Sequence, residues 1–302
     1  MTREVLYGFI AAEKTTYPVR LLCRTLQVST SSFYDWIRRG SPVVSDEDLA
    51  DAYAADQLHD AWVEHRRSYG ARRLTAEIND RIPEEGAWNR KRVARLMRVA
   101  GIEGIHRRRR GKKRTRLTSG TVAPDLVGRD FVADRPDQLW VADISYLRTW
   151  EGFLYLAVAL DACTRRIVGW AMADHLRREL VLDAVGMALH QRRPAPGLVH
   201  HSDHGVQYTS IDFGRVLRSS GVLASMGSVG DAFDNAMAES FFATLKEELV
   251  YRRAWPTRHE LEMEVFSYIE GFYNPRRRHS RLGNLSPAAY EHTITTQIEV
   301  SG

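Results

Sequence analysis

The sequence predicts an α/β domain with a mixed five-stranded sheet, preceded by an all-α helix-turn-helix DNA-binding region. Three observations carry that expectation: a charge asymmetry along the chain, a change from helical to strand-like apolar patterning near Gly120, and the order of the elements beyond it. Of 302 residues, 43 are Lys or Arg and 38 are Asp or Glu, for a formal net charge of +5. Residues 1–120 hold 24 basic and 15 acidic side chains, net +9, whereas residues 121–302 hold 19 and 23, net −4. The basic half is the one suited to a polyanion. A hydrophobic content of 44% excludes a disordered tail, and the length suits roughly two domains, each able to bury a core. The two cysteines, Cys23 and Cys163, stand 140 positions apart, which excludes a disulfide framework and a Cys-rich zinc module and suits a reducing cytoplasm. The longest apolar run, Phe153 to Leu160, falls well short of the roughly 18 residues that a membrane span needs, so no membrane partner is expected.

Residues 1–45 read as a first helix-turn-helix-like segment. Val19, Leu22, Cys23 and Leu26 form a helical stripe, Gln27-Val28-Ser29 the turn, and Thr30 or Ser31 the cap of a helix carrying Phe33, Trp36 and Ile37. Residues 46–105 read as a second, with Leu74 and Ile78 on one helix and Val93, Leu96 and Met97 on another. The outward face of that last helix holds Arg90, Lys91, Arg92, Arg95 and Arg98. Residues 106–125 form a basic linker. In it, eight of the ten residues from Arg107 to Arg116 are basic, which marks Arg107, Arg108, Arg109, Arg110, Lys112 and Lys113 as candidate DNA contacts.

From residue 126 to 290 three β-prone runs, Gln138–Tyr146, Phe153–Asp161 and Ile167–Ala173, suggest an antiparallel meander. A helix at Arg178–Gln191, a strand at Leu198–His201, a helix near Ile211–Ser219, a strand around Val222–Ser225 and a helix from about Asp234 to Leu249 follow. This is the element order of a ribonuclease-H-like domain, here with a C-terminal helical extension, and residues 291–302 read as a tail. Trp140, Trp150 and Trp170 read as core or sheet packing rather than base-stacking platforms, two roles that their spacing does not separate.

Three acids fall at particular points of this pattern. Asp143 lies inside the first strand, where burial without a partner is costly; Asp203 ends the fourth strand; Glu239 opens the long helix. Singly, each has a plain structural role, as a strand-end acid, a turn former before Gly205 and a helix-dipole partner. Convergence of all three is unfavourable unless a proton or cation intervenes, since two charges about 4 Å apart repel by roughly 4 kcal/mol at an effective dielectric near 20. Lys246, seven residues after Glu239, lies on nearly the same helix face and is either a solvated lysine or a phosphate contact. The basic segment Asn274–Arg281 is likewise a surface turn or, through Arg276, Arg277 and Arg278, a DNA contact. His200, His201 and His204 lack the further ligands that a structural zinc site needs and read as strand-edge or DNA-facing side chains.

The motifs WVADISYL, LDACTRRIVGW, HHSDHGVQYTS, GSVGDAFDNAMAESFFATLKEEL and YNPRRRHSRLGNLSPAAY resemble those of the downstream-frame, OrfB-type catalytic protein of bacterial insertion sequences, which has a retroviral-integrase-like core. The 35 residues between Asp203 and Glu239 match the family spacing. The resemblance implies a transposase in which Asp143, Asp203 and Glu239 are the catalytic acids and the ligands of Mg2+ or Mn2+, two ions in all, with Lys246 touching the element's DNA end. It implies end cleavage and strand transfer on terminal inverted repeats and target DNA, and a homo-oligomer on DNA. It also implies an upstream-frame, OrfA-type helix-turn-helix and leucine-zipper partner, joined by frameshift fusion. Two rival classes are a non-catalytic DNA-binding regulator descended from a transposase and a ribonuclease-H-like nuclease on RNA–DNA hybrids.

Overall fold

The computed structural model describes residues 3–40, 46–82, 86–106, 123–128, 131–203, 207–227 and 236–301. The chain divides into two compact units, residues 1–58 and 59–302.

The first unit is helical. Tyr7 and Ile10 of α1 (Arg3–Glu13), Cys23 of α2 (Val19–Thr25) and Phe33 of α3 (Thr30–Arg38) form its core, joined by Leu22, Leu26 and Trp36. The turn forms at Gln27, in the left-handed region at φ 53°. The cap of α3 is Ser29 rather than Thr30 or Ser31: its Oγ accepts from the Ser32 N–H at 3.5 Å, while the Ser31 hydroxyl is held by Ser29 at 2.7 Å. A fourth helix, α4 (Asp46–Glu64), runs on into the second unit.

In the second unit α5 (Ala71–Asn79) and α6 (Arg90–Val99) bury the predicted stripes, Leu74 and Ile78 on one and Val93, Leu96 and Met97 on the other. The Asn79 side chain donates to the Trp88 carbonyl at 3.1 Å and accepts from its N–H at 2.8 Å, and Asn89 caps α6 through the Arg92 N–H at 2.8 Å. Beyond α6 the chain crosses Gly70 at Gly104, where a Cβ would come within 2.5 Å of the Gly70 backbone.

The sheet contains β1 (Leu139–Thr149), β2 (Gly152–Asp161), β3 (Ile167–Ala173), β4 (Val199–Ser202) and β5 (Leu223–Met226), in the order β3-β2-β1-β4-β5. The β1–β2 and β2–β3 pairs are antiparallel, whereas β1–β4 and β4–β5 are parallel, so the predicted meander and mixed sheet both form. Alternation along β1 sends Trp140 and Ala142 to one face, against α7 (Arg178–Arg192) and α8 (Ile211–Ser219). Leu139 and Val141 point to the other face, where they meet Ala238 of α9 (Ala236–Glu248). Gly169 lets α7 approach β3 closely: a Cβ there would lie 2.3 Å from the Ala184 carbonyl oxygen and 2.6 Å from the Ala188 Cβ. Gly169→Ala is therefore expected to cost about 1–3 kcal/mol, read as a lower urea midpoint.

The C-terminal part is helical. Helix α10 (Arg258–Tyr268) runs into a π-helical turn, Ile269–Tyr273, and α11 spans Pro287–Ser301. Asn274 brackets the start of β3, accepting from the Ile167 N–H at 2.9 Å and donating to its carbonyl at 3.0 Å. The expected tail at 291–302 is instead the body of α11, because Glu291 is buried and pairs with Arg166 at 2.5 Å and with Arg192. Trp140 is fully buried and Trp170 donates to Glu270 at 2.8 Å, but Trp150, read as packed, is 76% exposed at the β1–β2 hairpin.

Candidate active site

The parallel pairing of β1 with β4 sets Ala142 opposite Ser202. One residue further on, Asp143 and Asp203 stand at neighbouring positions of strands spaced about 4.8 Å apart. The alternation that puts Leu139 and Val141 beneath α9 gives Asp143 and Ser145 the same side. Helix α9 buries Ala238, Phe241, Phe242 and Leu245 and leaves Glu239 exposed in its first turn. Asp143, Ser145, Tyr146, Asp203 and Gln207 line a small cleft of about 180 Å³.

The electrostatics tie these groups together. Burial pushes the Asp143 carboxyl up to about 8, with Asp203 and then Glu239 adding to the shift; the Ile144 N–H, donating at 2.7 Å, and Lys246 oppose it. Lys246 donates to Ser145 Oγ at 2.6 Å and lies 5.1 Å from the centre of the Tyr146 ring. It therefore sits beside Asp143, and it is not the solvated lysine of the plainer reading. Neither Ser145 nor Tyr146 was singled out in the sequence, although Ser145 lies two residues from Asp143 and so shares its face. Tyr208 was also missed. It is buried, and burial together with the Asp143 and Asp203 charges raises its phenol well above the ordinary value, so it stays protonated beside them.

As placed, no three His, Cys, Asp or Glu side chains among the described residues form a group that could hold a metal ion. The donor chemistry nevertheless suits a hard cation: oxygen ligands only, and a carboxyl whose ionisation is held back by burial and, after it, by its carboxylate neighbours. His200 and His201 are buried in the sheet rather than facing outward. Burial lowers His200 to about 4, His201 meets Ser225 Oγ at 2.9 Å, and His204 lies outside the described residues.

The expected DNA contacts divide. Arg107, Arg108, Arg109, Arg110, Lys112 and Lys113 lie outside the described residues. On α6, Arg90, Lys91, Arg95 and Arg98 are exposed, while Arg92 lies 4.6 Å from the centre of the Trp88 ring. The segment at 276–278 departs from the expected DNA-facing turn. Arg277 is 3% exposed and grips Glu248 at 2.8 and 2.6 Å, and Arg278 is engaged with Glu77 at 2.7 Å and Asp80 at 2.5 Å. Only Arg276 is exposed, 3.8 Å from Glu64. Arg277 and Arg278 bind the protein rather than DNA, because buried carboxylates claim their guanidinium groups.

Residues 133–232 match the integrase core domain family, residues 239–294 match a second integrase core domain family, and residues 48–110 match an HTH-like domain. The α/β part is thus an integrase core of the DDE class, with a helix-turn-helix-like region before it. The transposase for insertion sequence element IS629 of Shigella sonnei is 39% identical, covering 93% of this chain and 94% of that one. The transposase InsF for insertion sequence IS3A of Escherichia coli K12 is 34% identical, covering 95% and 98%. Among solved structures, the HTLV-2 integrase catalytic core domain in complex with magnesium aligns at 13% identity and a TM-score of 0.40, over 53% of this chain and 97% of that one. The chain belongs to the insertion-sequence transposases with an integrase core. Among its described residues, no helix is long and apolar enough to cross a membrane.

Proposed function

We propose that the chain cleaves DNA at the terminal inverted repeats of its element and joins the freed 3′ ends to target DNA, with Asp143, Asp203 and Glu239 as catalytic acids. The observation that carries this reading is the juxtaposition of Asp143 with Asp203 across β1 and β4, with Glu239 and Lys246 within electrostatic reach. The three acids would hold divalent cations, Mg2+ or Mn2+ and two in number, which supply charge neutralisation at the phosphate and acidify the attacking water or 3′ hydroxyl. Lys246, oriented by Ser145 and Tyr146, holds a positive charge beside Asp143 to meet a phosphate oxygen of the DNA end. The α6 face and the basic run from Arg107 to Lys113 hold the duplex, at a salt-dependent cost in affinity. A homo-oligomer on DNA, and an upstream-frame helix-turn-helix and leucine-zipper protein as its partner, complete the reading.

The test compares the full chain with Glu239→Gln on duplexes carrying the ends that flank the gene, with magnesium and with chelator. Strand-specific cutting is expected for the parent in magnesium and is lost in the variant, while both bind the duplex equally. Equal cutting by both would remove Glu239 from the chemistry. If neither the chain nor its fusion to the upstream frame cuts while both bind the ends tightly, the regulator reading replaces this one.

A further inference from the structure

A second cleft, of about 750 Å³, runs along a different face of the helix that carries Glu239. Its α9 wall is Ala236, Met237, Ser240, Phe241 and Thr244, a stripe at helical spacing that adjoins Glu239 at Ser240. Arg165 and Arg281 line it as well.

These two arginines differ from their neighbours. Arg166 pairs with Glu291, Arg192 with Asp137 and Glu291, Arg277 with Glu248, and Arg278 with Glu77 and Asp80. Among the described residues neither Arg165 nor Arg281 has a carboxylate in ion-pair contact. Asp161, the acid nearest in sequence to Arg165, spends one carboxylate oxygen on the Thr164 N–H and hydroxyl at 2.8 Å each and the other on the Asp137 N–H at 2.8 Å. Burial, and after it the charge of Arg281, lowers the Arg165 guanidinium from its ordinary value, with Tyr273, Asp161 and Cys163 opposing the shift without reversing it.

Both side chains stand on fixed backbone. Arg165 closes the turn after β2, its N–H donating to the Asp161 carbonyl at 2.9 Å, in the left-handed region at φ 62°. That conformation costs a side-chain-bearing residue roughly 1–2 kcal/mol and holds its position in a narrow range. Arg281 sits in the 3₁₀ turn Ser280–Leu282, closed by the Leu282 N–H on the His279 carbonyl at 3.0 Å and by Gly283 at φ 63°. Two arginines on fixed backbone, neither in ion-pair contact with a carboxylate among the described residues, line one cleft, and their guanidinium groups offer the forked donors that suit phosphate oxygens.

We propose that Arg165 and Arg281 form a phosphate clamp that seats the backbone of the DNA substrate along α9 beside Glu239. The clamp rests on the reading of the chain as an enzyme acting on DNA, and it names cations of the core that the polybasic run and α6 do not include. It acts on backbone alone, so its contribution is independent of base sequence.

The experiment measures binding of the full chain to two fluorescent duplexes, one carrying the element end and one of random sequence, across a salt series. Arg165→Ala/Arg281→Ala is expected to weaken both by the same factor and to make the slope of log affinity against log salt shallower by about 1.8, or 0.9 per lost phosphate contact. Arg165→Lys/Arg281→Lys should recover most of that slope, because it restores the charges. Arg215→Ala, on an exposed pair with Asp212, should leave it unchanged. An unaltered slope in the double alanine variant overturns the clamp, as does a binding defect that tracks a fall in melting temperature and is not recovered by lysine. Glu239→Gln in the same series separates the two proposals. Cutting lost only in Glu239→Gln, with the alanine variant at parental affinity, refutes the clamp alone; no cutting by the parent or its fusion, with the slope change intact, refutes the reaction alone.

Discussion

Asp143→Asn is expected to reduce end cleavage on the order of 10³-fold or more, and at the same time to make the protein more stable above neutral pH in the absence of divalent cation. Both effects have one origin. The ordinary aspartate value is about 4, and in the fold burial, Asp203 and Glu239 raise Asp143 to about 8. Below pH 4 the carboxyl is protonated in both folded and unfolded chains and contributes nothing to pH dependence. Between pH 4 and 8 the unfolded chain releases a proton that the folded chain retains, so stability falls as pH rises across that window and levels off above it. The asparagine variant lacks this slope. A thermal melting series from pH 4 to 9 should therefore show a declining contribution in the parent that is absent from Asp143→Asn. Magnesium should restore stability to the parent at pH 8 and do little for the variant, since a bound cation favours the ionised form. Equal pH profiles for the two proteins, with no magnesium effect on either, would mean that Asp143 neither carries the strained charge nor holds a cation.

The parts of this arrangement that were legible in the sequence are those set by local period. Alternation along Leu139–Asp143 fixes which face each residue takes, and an acid interrupting an apolar strand stands out. The periodic stripes of α2, α3, α5 and α6 gave their helices for the same reason. The 276–278 segment could not be read in this way. Three consecutive arginines after a proline carry the signature of a solvated turn, and what reverses it is a set of carboxylates far away in sequence: Glu248 on α9, Glu77 and Asp80 at α5. Burial of a charge is decided by long-range pairing, which has no period. The tail at 291–302 was misplaced for a related reason. Glu291, through Arg166 and Arg192, and the Ala288 N–H, donating to the Asn274 carbonyl at 3.0 Å, bind α11 to the domain, and such contacts leave no local signal. In the site itself, the acids were visible and the groups that orient Lys246 were not, because Ser145 and Tyr146 are ordinary strand residues until α9 is placed above them.

The Glu248–Arg277 pair yields the largest expected loss of stability. Glu248 is buried and accepts from Nε and Nη2 along one edge of Arg277 and from the Tyr268 hydroxyl at 2.8 Å, and it forms an ion pair with Arg73 of α5 at 3.5 Å. Burial opposes its ionisation, but Arg277, Arg73 and Tyr268 outweigh burial and hold the carboxyl below its ordinary range. Arg277→Met removes the principal cation and strands the carboxylate, at an expected cost of about 3–5 kcal/mol. Arg277→Met combined with Glu248→Gln removes both charges and should cost clearly less than the sum of the single changes, with a coupling energy of about 0.5–3 kcal/mol in a double-mutant cycle by urea denaturation. The pH signature is opposite in sign to that of Asp143. A depressed acid stabilises the fold above its ordinary value and loses that stabilisation as pH falls, so Arg277→Met should flatten the acid limb of the melting profile. Additive single and double variants would mean that the pair is electrostatically idle. The consequence reaches the chemistry because Glu248 is the last residue of the helix that carries Glu239 and Lys246. Arg73 belongs to α5 and Arg277 to the segment after the π-helical turn, so one carboxylate ties α9 both to the helix-turn-helix-like region and to the C-terminal part. Arg277→Met is therefore expected to lower cleavage even at temperatures where the variant remains folded, whereas a surface pair such as Arg215–Asp212, worth about 0–1 kcal/mol, should move neither stability nor cutting.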